Sequence, residues 1–295
     1  MTDLYPQRFD PMLSSLSRRS LLGGLGASGL FSASPTFGAV DPSGLDFSQK
    51  SHRMQALIKM RASMDNRIVM GGVQGLYYGV VNNKIAPLYG VLAGTMARYK
   101  KIDEWRYEGV SFEVAYFTDW ETGEVLETFD NPYTGETVEV PHTRMGPSKL
   151  IIGIDGREIP SDNPALAGMD ISHRFIAPRI HNGTVILVEE IHAGTPDSFR
   201  GPAFHYNEVT TYRARASEVA DPNIMLANDS THFNGVVTWR PWLKMAGHPG
   251  HLFGTATGGR YATVDDYPKY YVEMTNKHHP DVFGDTVALL DTADH

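Results

Sequence analysis

Residues 111–142, SFEVAYFTDWETGEVLETFDNPYTGETVEVPH, constrain the fold of this chain more than any other stretch. Phe112, Val114 and Tyr116 alternate with Glu113 and Ala115, the period of two expected of a half-buried strand. Glu121-Thr122-Gly123 turns the chain, because glycine accepts the positive φ that a tight turn requires. Val125, Glu127 and Phe129 follow on a second strand. Asp130 to Gly135 is dense in turn chemistry, with Asp and Asn bonding their own backbone and Pro132 fixing φ. A third strand places Val138, Val140 and His142 on one face, opposite Glu139. A register slip of one residue would bury that glutamate, so the alternation predicts an inward His142.

The same signals recur along the chain. Met54, Leu57, Ile58 and Arg61 have helical spacing after Ser48 and Ser51, which predicts a capped helix over Ser51–Ser63 plugging one end of a β body. Strands are expected at Ile68–Met70, Leu76–Val81, Leu88–Tyr99, Leu150–Ile154, Ile171–Ile176, Thr184–His192, Phe204–Tyr212 and Val236–Trp239. Gly247–Gly259 reads as a glycine-rich loop. A helix beginning near Asp265 or Asp266 must end before Pro280. Short strands in sequence favour antiparallel neighbours. The expected fold is mainly β, an antiparallel meander curled into a calycin-like barrel or a strongly bent sheet with a few peripheral helices. Residues 40–295 are expected to form one β-rich domain.

Composition narrows the function. The chain has no cysteine, which excludes disulfides, thiolate metal sites and a cysteine nucleophile. Its 34 acidic against 26 basic residues leave a net charge of -8, so nothing draws it to nucleic acid or anionic lipid. Ser17-Arg18-Arg19-Ser20-Leu21-Leu22 matches a twin-arginine export signal, with cleavage expected near Gly38 or Ala39. Residues 1–39 are therefore read as an address, the export machinery as a partner and the periplasm, or another exported site, as the destination. The apolar run 21–31 is too short for a stable membrane anchor. Nothing in the chain opposes a homo-oligomer.

No G-x-S-x-G elbow, dinucleotide fingerprint or phosphate loop occurs, and the expectation is chemistry without a cofactor. His248/His251 and His278/His279 do not have the spacing of a zinc hydrolase pair, so no metal is assigned. Were one held, His142, His173, His192 and His205 would ligate it by inward placement. His142, His173, His205, Glu208 and Arg144 are the catalytic candidates, with a shifted His or Glu as base and Arg144 or Tyr133 stabilising an anion. Tyr133, Tyr116, Asn207, Trp239 and Trp242 are the substrate-binding candidates. The expected function is an exported enzyme acting on a small aromatic or apolar molecule, of lyase or isomerase type. The alternatives are a periplasmic small-molecule carrier of barrel type and a structural subunit of an exported complex.

The run Glu121-Thr122-Gly123-Glu124-Val125-Leu126, then Asn131-Pro132-Tyr133-Thr134-Gly135-Glu136 and Val138-x-Val140-x-His142, resembles the domain-of-unknown-function family 1838. Asn207-Glu208, the Trp239–Trp242 segment and Asp266-Tyr267-Pro268 resemble later landmarks of that family. The resemblance spans nearly all of the chain after the export signal. It implies a bacterial protein, often with an export signal, and assigns no activity or catalytic residue.

Overall fold

The computed structural model describes residues 43–158, 169–195 and 204–294. The expected export signal lies outside the described residues. Ten strands make one antiparallel sheet: β1 (Ile68–Val81), β2 (Lys84–Lys101), β3 (Arg106–Thr118), β6 (Thr143–Gly153), β7 (Gly156–Glu158), β8 (Asp170–His181), β9 (Thr184–Thr195), β10 (Phe204–Arg215), β11 (Asp229–Val237) and β12 (His251–Tyr261). The short strands β4 (Thr128–Asp130) and β5 (Thr137–Glu139) pair separately as a hairpin. Apart from that hairpin, neighbours in sequence are neighbours in space, and β1 also pairs with β12. The sheet therefore nearly closes into a barrel, as the meander reading expects. Only β7 and β8 meet without a ladder, and there the Arg157 N–H donates to His173 Nδ1 at 2.8 Å.

Alternation along each strand separates a lumen face from an outer face. On β3 the lumen face carries Tyr107, Glu113, Ala115 and Phe117, and the outer face Phe112, Val114 and Tyr116. Both faces are apolar because both are covered. Helix α1 (Lys50–Arg61) sets Leu57, Ile58 and Met60 against Tyr99, Ile152, Leu187 and Tyr212, plugging one end of the barrel as expected. Each aliphatic side chain buried there contributes about 1.5–3 kcal/mol. The helix starts after Gln49 without a side-chain cap, and Ser48 Oγ bonds Asp46 instead of the helix amides. After β10 the chain makes the short helix α2 (Ala216–Ala220), and near its end helix α3 (Lys269–His278). Tyr267 and α3 cover the outer face of β2 and β3, packing Tyr271 and Met274 against Leu92, Met96, Phe112, Val114 and Tyr116.

The stretch read as three sheet strands folds differently. Both tight turns form, with Gly123 at φ 78° and Gly135 at φ 74°. The strand that pairs with β3, however, is β6, which starts after His142. The β4–β5 hairpin instead covers the barrel end opposite α1, where Leu126, Phe129 and Val140 join Tyr89, Phe117 and Leu243. Asn131, only 1% exposed, locks it by donating to the Leu243 carbonyl at 2.9 Å.

The expected loop at Gly247–Gly259 is corrected as well. His251–Tyr261 is a strand held between β1 and β11. Its glycines answer close approach rather than looseness. A Cβ on Gly254 would come within 2.5 Å of the Tyr77 ring, and one on Gly258 would overlap the Gly72 carbonyl.

Candidate functional site

Between the two plugged ends, the lumen carries polar groups in two sets. The first centres on Glu189, which sits on β9 in line with Val185 and Leu187 and is 1% exposed. Its Oε2 accepts from Tyr212 Oη at 2.6 Å and Arg61 Nε at 3.1 Å. Its Oε1 accepts from His173 Nε2 at 2.7 Å and from the Arg157 guanidinium. Because His173 Nδ1 must accept the Arg157 amide proton, its own proton sits on Nε2 and points at Glu189. Burial alone would push the Glu189 carboxyl up, but Arg157, Arg61 and the His173 hydrogen bond hold it well below the ordinary range. Burial lowers the His173 pKa against the pull of Glu189. With every acceptor position used, this set is a strut across the barrel, tying α1, β7, β8 and β10 to β9.

The second set has unsatisfied members. Register lines up Glu208, Gly235, Gly254, Tyr77 and Tyr89 across neighbouring strands, and the two glycines let the Phe233 and Tyr77 rings lie against the sheet between the carboxylate and Tyr89. Glu208 accepts from Tyr206 Oη at 2.7 Å and Thr210 Oγ1 at 2.6 Å. Burial and then Glu208 push the Tyr206 hydroxyl well above its ordinary pKa, so it stays a donor. Arg240 reaches in from the segment after β11. Its guanidinium lies 5.1 Å from the centres of both the Tyr77 and Phe117 rings and donates to Tyr77 Oη at 3.0 Å. Trp242 packs nearby with its ring tilted, 5.2 Å from Tyr89 and 5.4 Å from Phe117. Arg240 Nε, Tyr89 Oη and Trp242 Nε1 are buried without a hydrogen-bond partner among the described residues.

Glu113 completes this set. It lies on the lumen face of β3 opposite Thr95 of β2, and makes no hydrogen bond or ion pair among the described residues. Protein surrounds it, yet it keeps some accessible surface, which its strand face directs into the lumen. Burial first, and then the charge of Glu208, push its carboxyl up to about 7, with Arg240 and Arg61 pulling the other way. A carboxyl poised there can take or give a proton at neutral pH. The arrangement is thus a free acid–base group, a guanidinium on an aromatic wall and a second, hydrogen-bonded carboxylate.

Of the expected site residues, Glu208, His173, Trp239 and Trp242 fall inside or at the capped end of the barrel. His205 and Asn207 are on the outer face of β10, because that strand puts Tyr206, Glu208, Thr210 and Tyr212 in the lumen. Asn207 Oδ1 there meets His192 Nδ1 at 2.9 Å. His142 is also outside, beside Tyr116, since the chain leaves the hairpin and crosses to the outer face before β6 begins. Arg144 pairs with Asp281 at 2.8 Å instead of facing the lumen. Tyr116 packs under α3 with its hydroxyl 3.3 Å from Thr275 Oγ1. Tyr133 packs on Trp239 at 5.4 Å in the hairpin cap. The inward placement of His142, His192, His205, Asn207, Arg144 and Tyr116 is therefore corrected. Glu113, Arg240 and Tyr77 were missed, although the apolar residues on both faces of β3 mark it as covered twice, with Glu113 enclosed.

Fold and site together define an up-and-down antiparallel barrel with plugged ends and a polar, aromatic-walled lumen. The chain belongs to the family described as protein of unknown function (DUF1838), whose model matches residues 71–293. No curated protein matches it.

Proposed function

We propose that the protein is an enzyme that moves a proton on a small aromatic anion inside its barrel, without needing a cofactor. The observation that carries this reading is Glu113: a carboxyl facing the lumen with no partner among the described residues, poised at about 7, near a guanidinium fixed on aromatic rings. In the proposed reaction the Glu113 carboxylate removes a proton from a carbon acid conjugated to a carbonyl or phenol. Arg240 holds the anionic group, where charge builds as the C–H bond breaks. The proton then returns at another carbon, giving an isomerase, or a leaving group departs from the adjacent carbon, giving a lyase. The Tyr77, Tyr89, Phe117 and Trp242 rings favour an aromatic substrate. We place the work in the periplasm or another exported site, on the twin-arginine sequence at Arg18-Arg19.

The test is turnover of a panel of aromatic carboxylates by the mature protein, followed by proton NMR, beside Glu113→Gln and Arg240→Met. Product from the wild type that falls about 100-fold or more in Glu113→Gln supports the reading. A carrier is the second reading, favoured by the aromatic wall itself. It predicts binding of the same compounds with no product in any variant.

A further inference from the structure

A second group of side chains lies on the outer surface, away from the lumen and unused by the chemistry above. Glu127 comes from the segment before β4, His142 from the residues between β5 and β6, and His278 from the last turn of α3. One ligand atom from each lies within 4.8 Å of the other two. His142 Nε2 is 2.9 Å from Glu127 Oε2, and His278 Nε2 is 3.8 Å from Glu127 Oε1. The two imidazoles face each other with ring centres 3.9 Å apart and planes 31° from parallel. Two like rings held face to face are a poor arrangement for charge and gain little from hydrogen bonding. His142 Nδ1 and His278 Nε2 are buried with no hydrogen-bond partner among the described residues, as is Nε2 of the adjacent His279.

We propose that Glu127, His142 and His278 form a binding site for a divalent transition cation of the Zn²⁺ type. Two imidazoles and one carboxylate are a donor set that such ions accept. Ligands about 2.0–2.1 Å from a tetrahedral ion stand about 3.3 Å apart, so the present separations need only small side-chain adjustment. Three protein ligands leave a fourth position, for water or for His279. The bound ion would pin the end of α3 to the hairpin that closes the barrel, joining parts of the chain about 150 residues apart in sequence. Lys277 opposes it: its Nζ is 3.2 Å from Glu127 Oε1 and must swing away.

The test is a titration of the metal-stripped mature protein with Co²⁺, read as visible absorption, with Zn²⁺ competition and thermal melting alongside. The site predicts one equivalent of Co²⁺ with a tetrahedral-type spectrum, displaced by Zn²⁺, and a melting temperature raised by either ion. His142→Asn and His278→Gln should each weaken binding by about 100-fold or more, and Lys277→Met should bind at least as tightly as the wild type. Glu127, with its side chain 60% exposed, can be changed to Gln without threat to folding, and that variant should weaken binding even if the histidine variants do not fold. No stoichiometric Co²⁺ spectrum in the wild type overturns the site. Binding unchanged in Glu127→Gln, His142→Asn and His278→Gln overturns it equally.

Discussion

Glu113→Gln should make the protein more stable at pH 8 and leave it nearly unchanged at pH 4. The carboxyl ordinarily titrates at 4.5 and is lifted to about 7 in the folded barrel. A group whose pKa is raised on folding binds more protons in the native state than in the unfolded one. Its contribution is therefore intact below about 4.5 and is lost as pH rises through about 7. At about 1.4 kcal/mol per pH unit, the full loss is at most about 3.5 kcal/mol. The carboxyl keeps some contact with the lumen, so about 2 kcal/mol is the working expectation. Glutamine has nearly the same shape and no proton to lose, so its stability curve should be flatter across that window. Urea unfolding of both proteins at pH 4, 6 and 8 measures the difference directly. Parallel curves for the two proteins, with the same gap at every pH, would refute the argument. They would mean that Glu113 titrates as it does in water and is not poised as a base.

The Glu189 strut should be far less forgiving. Glu189→Gln leaves the charges of Arg61 and Arg157 buried without compensation and should cost about 3–5 kcal/mol by urea unfolding. Because its pKa is depressed, Glu189 contributes stability above the ordinary carboxylate pKa and loses it as pH falls below, opposite in sign to Glu113. Arg240→Lys should weaken binding of benzoate to the lumen about 10-fold or more by isothermal titration, since an ammonium lacks the planar surface that lies on Tyr77 and Phe117. Gly258→Ala, which drives a methyl into the Gly72 carbonyl, should break β1–β12 pairing and abolish the cooperative melt seen by circular dichroism.

Much of the architecture is legible in the residues. Period-two alternation finds most strands, the turns at Gly123 and Gly135 form as their chemistry demands, and α1 plugs an end. What alternation cannot supply is which face looks inward when both are covered. On β3 the apolar face Phe112, Val114, Tyr116 meets helix α3, and the face bearing Glu113 meets the lumen. On β10 the alternation itself is clear, but Tyr206 and Glu208 win the lumen while His205 and Asn207 take the solvent. Glycine hid β12, because Gly254 and Gly258 speak locally for a loop, while the close approach that requires them is tertiary. Arg240 could not be placed at all from sequence, as its reach into the barrel depends on the bend after β11. The strand expected at Thr184–His192 forms, and the carboxylate of Glu189 that it buries has four partners, as burial of a charge demands.

The most direct test of the acid–base account is hydrogen exchange at carbon. The protein is held in D₂O at pH 7 with aromatic acids that carry a conjugated C–H, and deuterium incorporation is followed by NMR in the wild type and in Glu113→Gln. The account predicts exchange at one carbon position of at least one compound, faster than in buffer and lost in the variant. Compounds that bind tightly yet exchange at the buffer rate, or exchange that survives the loss of Glu113, would contradict it.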